Sequence, residues 1–305
     1  MLHDSSRRAF LQSSAALLAA TAASPLLSAE KKVPLVDTHV HCFAGTKDER
    51  FPYHKHAPYK PEDVASPENL LAAMDAAGVN YAVIVHPEPY QDDHRYLEHV
   101  LGVGGKRLKA TALVFAEQPQ SVAQLPTLAK RMAIAAVRVH AYAPERLPPF
   151  GKPELKQLWK LAGDLGLAVQ LHLEPRYAPQ FTPLIKEFST VPVIIDHLGR
   201  PLQGTPAEHE VVVKWADHKN TIMKISSLPA TRMYPHRDLQ PVIHQLFDAY
   251  GSDRLIYGGG FDGSPKPDSY QGAFARARGY FADRTAEDTN KIFGLNALKL
   301  FRFDA

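Results

Sequence analysis

Short apolar, β-branched runs alternate with longer amphipathic stretches from Val33 onward, and this alternation constrains the fold more than any other feature of the chain. The runs cover residues 33–40, 81–86, 108–115, 133–140, 167–173, 191–197, 221–227 and 254–259. Between them lie helical patterns such as 67–78, 152–166 and 236–251. Strand–helix–strand units of this kind pair in parallel through right-handed crossovers. Eight such units within about 250 residues predict an α/β fold, a single (β/α)8 TIM barrel. An open doubly wound sheet competes with that reading. It usually carries a glycine-rich phosphate loop after the first strand, where this chain reads His39-Val40-His41. The barrel is therefore preferred, with the proline- and aromatic-rich stretch 51–61 as a long first βα loop over the mouth.

Composition narrows the partners. The 305 residues are 45% hydrophobic and 22% charged, which suits a globular domain, and the net charge is only +3. Lysines and arginines alternate with acids and form no basic cluster interleaved with aromatics, so nucleic acid is excluded as a partner and a small molecule is expected. The sequence leaves the oligomeric state open.

The first residues read differently from the rest. Ser6-Arg7-Arg8-Ala9-Phe10-Leu11-Gln12 is a twin-arginine pattern, followed by an apolar stretch from Ala15 to Leu27, a small-residue exit at Ser28-Ala29, and then Glu30-Lys31-Lys32. This resembles a Tat export signal, residues 1–29, ahead of a barrel domain at 30–305. An uncleaved anchor is the alternative, but the apolar run falls short of the ~20 residues a spanning helix needs. The expectation is a periplasmic or otherwise exported protein with no membrane insertion after cleavage. Cys42, the only cysteine, has no partner for an intramolecular disulfide and is expected to be a small packing residue.

Histidines gather at the expected strand ends. His39 and His41 share a face of strand one because side chains alternate along a strand. His86 ends strand two, His140 strand four, His172 strand five and His197 strand six. A barrel brings successive strand ends around one axis, so these imidazoles converge, and converging neutral imidazoles suit a borderline ion such as Zn²⁺. Taken as a set, His39, His41, His172 and His197 point to a shared site. His86 and His140 read equally as substrate-binding groups or as hydrogen-bonded strand-end residues. Arg138 shares a face with His140 and could clamp a substrate carboxylate or pair with an internal acid. Lys224 interrupts an apolar strand and faces either the mouth or an ion-pair partner.

The segments DTHVH (37–41), QLHLEP (170–175) and IIDHLGRP (194–201) resemble the amidohydrolase-related metal-dependent hydrolases. The likeness is nearest to the branch with sugar lactonases and 2-pyrone-4,6-dicarboxylate lactonase. Residues 85–101, 223–233 and 292–301 fit the same branch, so the resemblance spans 33–301. It implies a (β/α)8 barrel hydrolysing esters, lactones or amides of small metabolites, with some relatives acting as decarboxylases. It implies His39, His41 and His172 as ligands of one divalent ion, with His197 as the strand-six histidine. One lactonase of that branch works without a metal and lacks the strand-five histidine, which this chain keeps as His172.

Strand eight departs from the family pattern. Family members end it with G-[ST]-D-W-P, whose aspartate is metal neighbour and general base, whereas Tyr257-Gly258-Gly259-Gly260-Phe261-Asp262 aligns Gly260 with that acid. Asp262, two residues on, is either a displaced base or a turn cap.

The leading expectation is a metal-assisted hydrolase of a lactone or related ester of a sugar-acid or dicarboxylate-like metabolite. His197 and Asp262 are its catalytic residues, and His86, Arg138, His140 and Lys224 its substrate-binding ones. A non-oxidative decarboxylase and a non-catalytic exported binding protein are the alternatives.

Overall fold

Each β-branched run becomes one strand of an eight-stranded parallel sheet that follows chain order from first to last. The strands are β1 (Leu35–Val40), β2 (Val79–Val85), β3 (Leu108–Leu113), β4 (Ile134–Ala141), β5 (Ala168–Leu173), β6 (Val193–Ile195), β7 (Thr221–Ile225) and β8 (Leu255–Tyr257). The computed structural model describes residues 33–228, 238–261 and 267–304. The twin-arginine stretch and Asp262 lie outside the described residues.

Side chains close the seam between first and last strands. The Thr38 hydroxyl donates to the Tyr257 carbonyl at 2.7 Å, and the Asp37 carboxylate accepts from the Gly259 and Gly260 amides at 2.8 Å each. The result is a single TIM barrel, as the strand–helix alternation predicts.

The two-residue period of each strand builds the interior in layers. Val36, Val83, Ala136, Ala168, Ile194 and Ile256 form an apolar floor that packs on Phe301 and Phe303. Two residues further along the strands the same face turns polar, with Arg138 on β4, Gln170 on β5, Asp196 just past β6 and Lys224 on β7. Two residues beyond that stand His140 and His172, which are register partners across β4 and β5. Outside the barrel, helices such as Pro67–Ala77, Pro153–Asp164 and Gln240–Tyr250 cover the sheet and bury Leu70, Trp159 and Leu246 against it. Among the described residues no helix is long and apolar enough to cross a membrane.

Two boundaries differ from the sequence expectation. Strand β6 stops at Ile195, so His197 sits in the turn beyond it. Strand β8 stops at Tyr257: Gly258 still donates to the Ile225 carbonyl at 3.1 Å, and the chain then leaves the sheet as the amides of Gly259 and Gly260 turn to Asp37.

Candidate active site

Asp196 is the centre of the polar layer and is completely buried. Lys224 Nζ lies 3.0 Å from its Oδ1 and Arg138 Nη2 donates to its Oδ2 at 2.9 Å. Gln170 Nε2 donates to both oxygens and is itself fixed by the Thr111 hydroxyl, which donates to Oε1 at 2.9 Å. Burial alone would push the Asp196 carboxyl up, but the charges of Lys224 and Arg138 beside it hold it well below the usual carboxylate range. Arg138 and Lys224, expected at the substrate, are thus both placed against Asp196. A buried carboxylate between two buried cations is stable only while all three remain.

The predicted histidines come together as an arc. His41 meets His39 edge-on at 5.0 Å between ring centroids, His39 meets His197 at 4.5 Å, His197 meets His172 at 5.3 Å and His172 meets His140 at 5.2 Å. His41 donates through Nδ1 to the Val85 carbonyl at 2.7 Å, which leaves Nε2 as its lone pair. His197 places Nδ1 2.9 Å from the Ser226 hydroxyl. Burial keeps the arc neutral, with His41 lowered to about 4 and His197 to about 3.

His86 is turned to the side of this arc. It hydrogen-bonds the Gln91 carbonyl through Nε2 at 3.0 Å and stacks on His94 at 4.4 Å. Burial lowers His94 to about 4 and holds His86 well below the ordinary imidazole range. Imidazoles in the unfolded chain protonate near 6.5, so the unfolded state takes up protons that this pair refuses. The stability it contributes is complete above pH 6.5 and is lost as pH falls from there to about 4. The melting temperature should therefore drop by several degrees between pH 7 and pH 5, with a shallower drop in His94→Leu. Identical pH dependence in the two proteins would show that the pair is not buried neutral.

Sequence reasoning passed over the backbone that carries His197. His197, Leu198, Gly199 and Arg200 all have positive φ, at 56°, 58°, 68° and 55°. A left-handed run with three non-glycine residues is costly, and such strain persists where surrounding structure enforces a particular side-chain direction. Only Gly199 announces it in the sequence. Its His197, Leu198 and Arg200 line a cavity of about 270 Å³ together with His172, Ser227 and Leu239.

Arg200 also escaped selection as a site residue. Its Nη1 donates to His172 Nε2 at 3.0 Å and its guanidinium lies over the Tyr142 ring at 5.5 Å. Among the described residues no carboxylate lies within ion-pairing distance of it, whereas Arg138 is committed to Asp196 and Arg146 to Glu88. Glu88 was missed too. It accepts from the Tyr142 hydroxyl at 2.7 Å, from Arg146 at 2.8 Å and from His140 Nδ1 at 2.5 Å. Burial pushes Glu88 up, but these partners outweigh it and set the carboxyl at about 2. Burial likewise keeps His140 and His172 below the ordinary imidazole range, hence neutral.

The strand-eight position that the family fills with aspartate is closed. A Cβ at Gly260 would meet the Tyr270 ring at 2.4 Å and the Tyr257 hydroxyl at 2.9 Å. Tyr270 is held there by donating to Asp37 Oδ2 at 3.0 Å.

A family model described as amidohydrolase matches residues 36–303. The chain belongs to the amidohydrolase family. It is accordingly a hydrolase of that superfamily. It is 26% identical over 268 residues to an L-fucono-1,5-lactonase of Burkholderia ambifaria, covering 78% of this chain and 85% of the relative. To a 4-sulfomuconolactone hydrolase of Rhizobium radiobacter it is 28% identical over 246 residues, 76% of this chain and 79% of the relative. The fold matches that of a zinc-bound amidohydrolase from Burkholderia multivorans with a TM-score of 0.67 at 14% identity, covering 89% of this chain and all (100%) of the other.

Among the described residues, ligand atoms of His39, Asp196 and His197 lie within 4.8 Å of one another. Two imidazoles and a carboxylate are an ordinary donor set for a catalytic Zn²⁺, so the residues fit such an ion. It would share Asp196 with Lys224 and Arg138. His172 and His41, expected as ligands, have one ring nitrogen each engaged, by Arg200 and by the Val85 carbonyl.

Proposed function

We propose that this amidohydrolase hydrolyses a lactone, or a closely related ester, of a small sugar-acid or dicarboxylate-like metabolite. The observation that carries the reading is Arg200, a half-buried guanidinium without a carboxylate partner among the described residues, at the cavity lined by His172 and His197. Burial lowers its affinity for its own proton, and a substrate carboxylate would compensate the unpaired charge bidentately. The two curated relatives act on lactones, which supports the reaction class.

The roles follow from position. Arg200 holds the carboxylate and fixes the ring over the His39–His197 pair. His197, with Nδ1 at Ser226, has only Nε2 to offer the site and supports the oxyanion through the ion it would hold. A divalent ion held by His39, Asp196 and His197 would supply Lewis acidity toward the carbonyl. Asp262 is the candidate proton acceptor. The twin-arginine stretch supports export in the folded state, and retention of the mature chain in the cytoplasm of a Tat-competent host would count against it.

The test is hydrolysis of a lactone panel with and without carboxylates, beside metal analysis of the purified protein. Arg200→Met should raise KM for carboxylate-bearing lactones roughly 10–100-fold, the worth of a charged hydrogen bond, and leave neutral lactones nearly untouched. Equal effects on both classes would remove Arg200 from carboxylate binding, and no turnover across the panel would remove the hydrolase reading itself.

A further inference from the structure

The left-handed residues 197–200 carry both His197 and Arg200, and part of what holds them comes from outside the run. Within the turn, the Gly199 amide donates to the Asp196 carbonyl at 2.9 Å and the Arg200 amide to the His197 carbonyl at 2.8 Å. The Leu198 carbonyl is taken by a side chain instead. His209 donates to it through Nε2 at 2.7 Å, since a carbonyl can only accept. Leu198 is 2% exposed and His209 4%, so water has little access to replace this donor. A buried carbonyl left unpaired is costly, and the backbone turns to avoid it.

His209 is itself firmly based. It stands in the first turn of the helix Pro206–Lys214, directly after the capping box that Thr205 makes with Glu208. Its amide donates to the Thr205 carbonyl at 3.0 Å, so the ring leaves an ordered backbone. The helix meets the run again at Gly199, where a Cβ would lie 2.6 Å from Val212 Cγ1 and 3.4 Å from His209 Nε2. Packing this close fixes the peptide between Leu198 and Gly199 against the helix. His197 precedes that peptide and Arg200 follows it, so turning it moves both side chains.

We propose that His209 is a positioning residue for the reaction. Its hydrogen bond to Leu198 holds the run in the arrangement that sets His197 beside His39 and Arg200 against His172. His209 does not line the cavity those residues share, so it acts through them. The inference rests on the roles given above to Arg200 and His197. A misplacement of about 1 Å at such groups costs on the order of 10²-fold in rate, so a residue behind the mouth would govern turnover.

The experiment compares His209→Leu, which has no donor, with His209→Gln, whose amide nitrogen reaches about as far as Nε2. His209→Leu should raise KM about tenfold or more for carboxylate-bearing lactones alone and lower kcat for neutral ones as well. His209→Gln should recover both to within about threefold of wild type. A purely structural loss lowers the folded fraction, which scales kcat alike for both classes and leaves KM unchanged. ¹⁵N-histidine NMR reads the positioning without turnover. The His172 ring signals should move in His209→Leu toward those of Arg200→Met, and stay near wild type in His209→Gln. An unchanged KM or unmoved His172 signals in folded His209→Leu overturns the positioning role and leaves the hydrolase reading standing. So does a His209→Gln protein as impaired as His209→Leu. If His209→Leu does not fold, His209→Asn, polar but one methylene too short, takes its place with the same expectations. If wild-type protein hydrolyses no lactone, the hydrolase reading falls and the His172 signals decide. A shift in His209→Leu that His209→Gln reverses supports the role, and its absence overturns it.

Discussion

Replacing Asp196 with Asn is expected to cost about 3–5 kcal/mol of folding stability, the range for breaking a buried ion pair from one side. Lys224 is 0% exposed and Arg138 4%, so neither cation can turn to water when the carboxylate is neutralised. Gln170 loses its anionic acceptor in the same change, and the Thr111 contact behind it loses its purpose. Chemical denaturation followed by circular dichroism measures the loss. The double variant Asp196→Asn/Lys224→Met should recover part of it, because removing one stranded cation relieves a penalty that the single variant creates. Activity should be lost in both, since Asp196 also supports His39 at 3.5 Å. A single variant within about 1 kcal/mol of wild type would show that the layer is solvated and that Asp196 is free to serve another role.

What could be read in the sequence follows a physical division. The barrel was legible because alternation is a local signal, repeated in every strand, and the histidine arc was legible because strand ends converge in any barrel. Asp196 was in plain view between Ile195 and His197 but reads alone as a strand-end acid. Its cations lie on β4 and β7, and only closure of the sheet brings them together. Glu88 and Tyr142 were hidden for the same reason, since their partnership crosses from the end of β2 to the end of β4. Leu198 and Arg200 gave no hint of a left-handed backbone, because non-glycine residues adopt it only when tertiary structure enforces it. Arg138 and Lys224 were noticed for the right reason, cost of burial, but sequence supplies no distance to choose between a substrate and an internal acid.

Restoring the family's acid should harm this protein. Gly260→Ala is expected to lower stability by about 1–3 kcal/mol, the usual cost of forcing a methyl into a filled interior. The obstruction is not a flexible side-chain tip. It is the Tyr270 ring, 1% exposed and tied to Asp37 through its hydroxyl. Asp37 in turn accepts the amides of His39, Gly259 and Gly260, so moving the ring disturbs the backbone under the first histidine of the arc. Gly260→Asp adds a carboxylate to the same collision, so it should be less stable than Gly260→Ala and show no gain in kcat. Opening the space with Tyr270→Ala should make Gly260→Asp less damaging than it is in the wild-type background, a coupling that a double-mutant cycle measures directly. A stable Gly260→Asp protein with raised kcat would mean that the position can accept the family's base after all. Failure of the substitution, together with coupling to Tyr270, would mean that strand eight has been rebuilt around the phenol and that the proton acceptor lies elsewhere in the mouth.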